Sequence, residues 1–269
     1  MQLLDALKFE IKKTYRGMII FGGVVGLLFL MEIGIYDPAL FENLNDLFST
    51  LPPEIVALLG SQVDLGTFEG YSNLYLFEFA WLWYGLFLIL KVSQDIPGEM
   101  ENKTIDLVLS KPIHRWEYVL SKQIQHIITI ITALSISFAF LLAGIALNPN
   151  IVFMDVYFDR ILISFGWVAI LLLVIESTVL LISVIFRRRI ATAIGFVFIM
   201  IMWFIPSFSA NIPIENIEYI SFFNYFDTSS LMIDGLMTNI VRDMLILAGW
   251  AIAMSAGAII IFSKRDLPV

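Results

Sequence analysis

Three glutamates, Glu32, Glu78 and Glu176, stand inside long apolar runs of this 269-residue chain, and they are its most costly residues to place. An ionised carboxylate at the middle of a bilayer costs at least about 2.5–3.5 kcal/mol, so such residues mark proton relays, ion paths or cargo contacts unless they lie near an interface. Glu32 and Glu78 fall about four residues from the ends of their runs, where snorkelling relieves the cost and a structural role is expected. Glu176 is ten residues from Phe186, close to mid-depth. It is expected at a helix interface or cavity, protonated or bonded to a neighbouring hydroxyl, with direct contact to cargo as the alternative. All three are pathway candidates. Other chemistry is sparse. The chain has no cysteine, which excludes disulfides and thiolate chemistry, and its histidines, His114 and His126, do not by themselves make a metal site. Neither G-x-x-x-x-G-K-[ST] nor H-E-x-x-H occurs, and no Ser/His/Asp set stands at recognisable spacing. No catalytic residue, metal or cofactor is expected in this chain, so energy for any work must come from a partner or an ion gradient.

The surroundings of these glutamates define the fold class. Apolar residues make up 59% and charged residues 15% of the chain, with a mean hydropathy of +0.87. A soluble domain carries about 45–50% and about 25%. A bilayer core needs about 20 apolar residues per helix. Six stretches qualify: 17–36, 74–92, 124–147, 161–186, 190–208 and 244–262. These predict an all-α membrane protein with a single six-span transmembrane domain over 1–269. The first run exceeds the 7–15 apolar residues of a signal peptide and lacks a small-residue cleavage site, so it reads as a retained span.

Charge supplies the orientation. Fourteen of the sixteen lysines and arginines gather before span 1, between spans 2 and 3, between spans 4 and 5, and after span 6. That side is expected to be cytoplasmic, with both termini there, in a multi-pass protein of the cell membrane. The net charge of −8 divides into about −11 outside, −3 within the membrane and +6 inside. No basic face is left for nucleic acid.

Three further segments are neither spans nor plain loops. Residues 2–15, with Leu4, Leu7 and Ile11 on one face and Lys8 and Lys12 on another, predict an interfacial helix before span 1. Leu40, Phe41, Leu44, Leu47, Phe48 and Leu51 form a helical stripe in the first outer loop, stopped by Pro52-Pro53. The 209–242 loop carries Tyr219, Phe222, Phe223, Tyr225 and Phe226, expected as an aromatic belt or as part of a re-entrant helical hairpin.

The loop between spans 2 and 3 is the most informative stretch. Pro97-Gly98 is expected to break the helix leaving the membrane, and Thr104 to cap a short helix that Pro112 ends. Ile105, Val108 and Leu109 give that helix an apolar face suited to a partner's groove. The run Glu99-x-Glu101-x-Lys103-Thr104-Ile105-Asp106-Leu107-Val108-Leu109-Ser110-Lys111-Pro112-Ile113-x-Arg115 resembles the E-x-E-x-G-T-hydrophobic-[DE]-hydrophobic-x-L-S-x-P-[VI]-x-R signature of ABC-2-type transporter permeases. Lys103 stands where that family usually carries glycine.

The resemblance implies a coupling helix that docks on a separate ABC ATPase subunit through Glu99, Glu101, Thr104, Ile105, Asp106, Leu107, Val108, Leu109, Pro112 and Arg115. It implies that ATP and Mg are held by that partner and that a second permease half, identical or related, completes the pathway. It implies export as the direction, and a second cytoplasmic contact at Arg187, Arg188 and Arg189. A lipid-binding topogenic anchor explains the arginine triplet equally well. Two other readings stay open: a stand-alone gradient-driven carrier or channel, and a non-transporting membrane immunity or scaffold protein. The carrier reading is disfavoured here because no basic residue is expected at the depth of Glu176 and no inverted repeat is evident.

Overall fold

The computed structural model of the chain describes residues 2–41, 50–52, 55–56, 64–103 and 114–265. It is helical throughout, with no strand among the described residues. Six helices are long and apolar enough to cross a membrane, and each predicted stretch falls on one of them. They are α1 (Gln2–Ile35), α2 (Phe68–Glu101), α3 (Arg115–Leu147), α4 (Phe158–Ile185), α5 (Arg188–Phe208) and α6 (Ile240–Lys264).

The central helix is α4, which packs on α2, α3, α5 and α6. Within its apolar window 67% of residues are buried, against 22% for α5, so α4 forms the core while α5 leaves most of its surface to lipid. Lipid tails are as apolar as leucine, so helices in a bilayer associate through close packing and polar contacts rather than by escaping water. The long α1–α3 seam follows that rule. A Cβ at Gly22 would come within 3.0 Å of the Ala133 Cα, one at Gly26 within 2.6 Å of the Phe140 ring, and one at Gly144 within 3.0 Å of Ile33. These glycines let the two backbones approach each other. At the far end of the seam Asn148 donates to the carbonyls of Ile33, at 2.6 Å, and Tyr36, at 2.9 Å. It thereby satisfies acceptors that the end of α1 leaves open.

Three expectations are corrected. Residues 2–15 do not form a separate interfacial helix: α1 runs unbroken from Gln2 to Ile35, because no proline interrupts it and its first turns are engaged by α3. Pro97-Gly98 does not break α2, which continues to Glu101. Ile96, Pro97 and Gly98 are all buried, and tertiary packing overrides the cost of a proline within a helix. The 209–239 segment is neither an aromatic belt nor a long re-entrant hairpin. It is a string of short turns followed by a five-residue helix, Thr228–Met232. Its Phe222, Phe223 and Phe226 turn inward onto Trp250, Trp81 and Trp167 respectively. The aromatic rings plug one end of the bundle. The amphipathic stripe of the first outer loop lies mostly outside the described residues, although Phe41 stacks against Tyr36 and meets Tyr71 edge-on.

Candidate functional site

The helices flanking residues 104–113 are joined by a buried polar junction. Lys91, Asp95 and Glu99 recur every four residues on α2, and Tyr118, Lys122 and His126 recur every four on α3. Residues four apart on a helix lie on one face, and two such rows meet here in antiparallel order. Glu99 accepts from the Tyr118 hydroxyl at 2.6 Å and pairs with the Lys122 ammonium at 2.6 Å. One turn deeper, Asp95 meets His126 Nε2 at 2.9 Å. The row ends at Lys91, which holds Asp95 at 2.8 Å.

Both rows reach a third helix. Lys122, fully buried, also pairs with Glu10 of α1 at 2.8 Å, and the more exposed Lys13 reaches Glu99 at 3.3 Å. Gln125 donates to Thr14 of α1 at 3.1 Å. His126 Nδ1 meets Glu176 Oε1 of α4 at 2.8 Å, with both side chains wholly buried. The two contacts of His126 require two protons. An imidazolium supplies both, or a neutral ring supplies one and a protonated carboxyl the other. In either arrangement Lys91, Asp95, His126 and Glu176 sum to zero charge, as do Lys13, Lys122, Glu10 and Glu99. Neutral, paired clusters are the form in which charge survives burial, with Glu176 Oε2 the one fully buried carboxylate oxygen here left without a partner among the described residues.

The sequence-predicted site residues distribute around this junction. Glu99 belongs to it and faces inward. Glu101 is exposed and accepts from the backbone N–H of Arg188 at 3.2 Å, while the Arg188 guanidinium donates to Gln94 at 2.9 Å. A cleft of about 510 Å³ lies there, lined by Gln94, Glu101, Arg188, Arg189 and Thr192. Arg187 caps the start of α5, so the arginine triplet and the end of α2 share one surface. Arg115 opens α3 and donates to the Arg265 carbonyl, and Arg265 in turn donates to the Val184 carbonyl. Thr104, Ile105, Asp106, Leu107, Val108, Leu109 and Pro112 lie outside the described residues. Lys103, where the motif usually has glycine, has a φ of +54°. The backbone adopts the left-handed form that glycine favours, at a cost of roughly 1–2 kcal/mol for a lysine.

The three intramembrane glutamates separate. Glu176 sits at a helix interface, but its partner is His126 rather than a hydroxyl, and a basic group does stand at its depth. That corrects one of the two grounds on which the carrier reading was disfavoured. Glu32 lies at the opposite end of the bundle, where the Tyr71 hydroxyl donates to its backbone carbonyl at 2.8 Å and reaches its carboxylate at 3.4 Å. Glu78 lies on a π-helical stretch of α2 beside Thr228. The residues that sequence reasoning missed are Glu10, Lys91, Asp95, Tyr118, Lys122 and His126. For all of them but Glu10, which lies on α1, the signal was the four-residue spacing on both sides of one loop.

A bundle of six spanning helices with a polar core at the base of one interhelical loop is a multi-pass α-helical membrane protein. The chain matches the ABC-2 family transporter protein family over residues 18–267, nearly its whole length, and it belongs to that family. It is therefore a membrane permease component of an ABC transporter, and an ATPase partner is implied by that membership. No curated protein matches it.

Proposed function

We propose that this chain is one membrane half of an ATP-driven exporter and that its 99–113 loop docks a separate ATPase subunit, which holds ATP and Mg. A second permease half, identical or related, completes the pathway. The basic end of the bundle, with both termini, faces the cytoplasm, and Arg187, Arg188 and Arg189 make a second contact there. One observation carries this reading: the helices on either side of the loop are locked to each other, to α1 and to α4 by buried ion pairs and histidine–carboxylate contacts. A push delivered to the loop would move these helices together. Coupling between distant sites is carried by packed side chains and salt-bridge networks of this kind.

Affinity purification of the full-length protein tests docking. It is expected to bring down a P-loop ATPase, and Leu107→Asp with Leu109→Asp to abolish that association while the permease stays folded. Recovery of the ATPase at wild-type yield with the double variant would remove the loop from the contact.

A second reading has one observation in its favour. A buried histidine between two carboxylates is the equipment of a proton-driven carrier. Transport into liposomes driven by a proton gradient, without any ATPase, would establish that reading and refute the first.

A further inference from the structure

Among the described residues, α2 is the one spanning helix that is not α-wound throughout. It is α-helical over Phe68–Ser72 and Leu86–Glu101, but Asn73–Glu78 and Trp81–Gly85 are wound as π-helices. The other five carry no such stretch. A π-helix closes its hydrogen bonds from i to i+5, is rare, and comes mostly as an isolated turn. Here two follow one another, separated by Phe79 and Ala80. Neither proline nor glycine lies between Asn73 and Tyr84, so no backbone breaker imposes the winding. Ring contacts with other elements hold it instead. Phe77 meets Phe165 of α4, Trp81 meets Trp203 of α5 and Phe223, and Tyr84 meets Phe21 of α1.

The two ends of α2 are fastened unequally. On the loop side of the π turns, Asp95 and Glu99 meet His126 and Lys122. On the other side the Tyr71 hydroxyl donates to the Glu32 carbonyl at 2.8 Å, and Asn73 Nδ2 donates to Ser229 Oγ at 3.0 Å. Hydrogen bonds between neutral groups are the weaker tie. A displacement entering through the loop therefore reaches the π turns while the far end is still free to follow. Trp81 adds a second observation. It is buried, and its indole Nε1 has no acceptor among the described residues. A buried indole N–H usually finds a partner, and an unmet donor in a packed core calls for a reason. A second arrangement of the same segment supplies one.

We infer that Trp81–Gly85 is a winding switch, which passes from π to α when ATP drives the bundle. An α-helix turns about 100° per residue. The π form takes more residues into each turn, so it turns less and rises less per residue. Rewinding this stretch turns the two parts of α2 against each other by roughly 100° and lengthens the helix by roughly an ångström or two. It also carries the Trp81 indole out of its contacts with Trp203 and Phe223. The trigger rests on the transport reading, because ATP acts through the partner subunit.

A distance measured within α2 tests the switch, since a helix that moves as a rigid body keeps its length. Thr67 and Leu90 are exposed on either side of the π turns. Electron–electron double resonance between labels at these positions, in the permease–ATPase complex in nanodiscs, is expected to show the distance lengthen with ATP. Fluorine resonance of 5-fluorotryptophan, with the Trp81 signal assigned by Trp81→Phe, repeats the test without a label in α2, and ATP is expected to shift that signal. The Ile35–Leu245 distance, between exposed positions on α1 and α6, serves as the control for movement of the bundle. If that distance changes with ATP while the Thr67–Leu90 distance or the Trp81 resonance stays fixed, the switch is overturned and the transport reading stands. No ATP-dependent change in either distance would remove both.

Discussion

Replacing Lys122 by methionine is expected to destabilise the protein by about 3–5 kcal/mol, the typical cost of removing one partner from a buried ion pair. The ammonium is the one charge that Glu10 and Glu99 share, at 2.8 and 2.6 Å, and the side chain is fully buried. Methionine keeps the volume and leaves two carboxylates facing each other. Glu99 retains the Tyr118 hydroxyl and the more exposed Lys13, whose pairing solvent weakens, whereas Glu10 has no comparable substitute among the described residues. Thermal unfolding in detergent should fall by roughly 10 °C for a chain of this size. The triple variant Lys122→Met, Glu10→Leu, Glu99→Gln should recover most of the loss, since replacing a whole buried ionic group by uncharged residues is often neutral. A triple variant no more stable than Lys122→Met alone would mean that the lysine acts through packing rather than through charge.

The second large effect is expected at His126. Among the described residues, leucine there removes the group joining Asp95 to Glu176 and leaves Glu176 wholly buried with both oxygens unpaired, since its Oε2 already lacks a partner. An abandoned buried acceptor costs about 1–3 kcal/mol, and more when it is charged. His126→Leu should therefore rank with Lys122→Met in lost stability. Adding Glu176→Leu should return part of the loss, and a double-mutant cycle should give a coupling of about 0.5–3 kcal/mol between the two positions. Additive losses would mean that the 2.8 Å contact carries no energy of its own.

The two clusters also show what the amino-acid sequence discloses and what it withholds. Hydropathy located all six spanning helices, because a run of about 20 apolar residues has few alternatives. The motif from Glu99 to Arg115 led to the family that the chain matches. Contacts between helices were less legible. His126 and Glu176 are 50 residues apart on different helices, and nothing local to either announces the pairing. Glu99 was expected to meet a partner protein because it opens the motif, yet its carboxylate turns inward to Lys122 and Tyr118. Proline and glycine at 97–98 are the usual marks of a helix end, and burial against the bundle overrode them. The four-residue rows on α2 and α3 were visible in principle. Each looks like an ordinary charged helix face until the two are placed opposite each other.

The central claim is that the junction carries motion from the ATPase-facing loop into the membrane helices. The chain contains no cysteine, so spin labels can be placed singly and cleanly. Ile35 and Leu245 are exposed at the ends of α1 and α6 remote from the loop. Electron–electron resonance between labels at these positions, in the permease–ATPase complex in nanodiscs, reports the helix separation with and without ATP. The account predicts an ATP-dependent change in the native background. It predicts no change with Lys122→Met, Glu10→Leu and Glu99→Gln, although the ATPase remains bound. The same ATP-dependent change in the triple variant would contradict it.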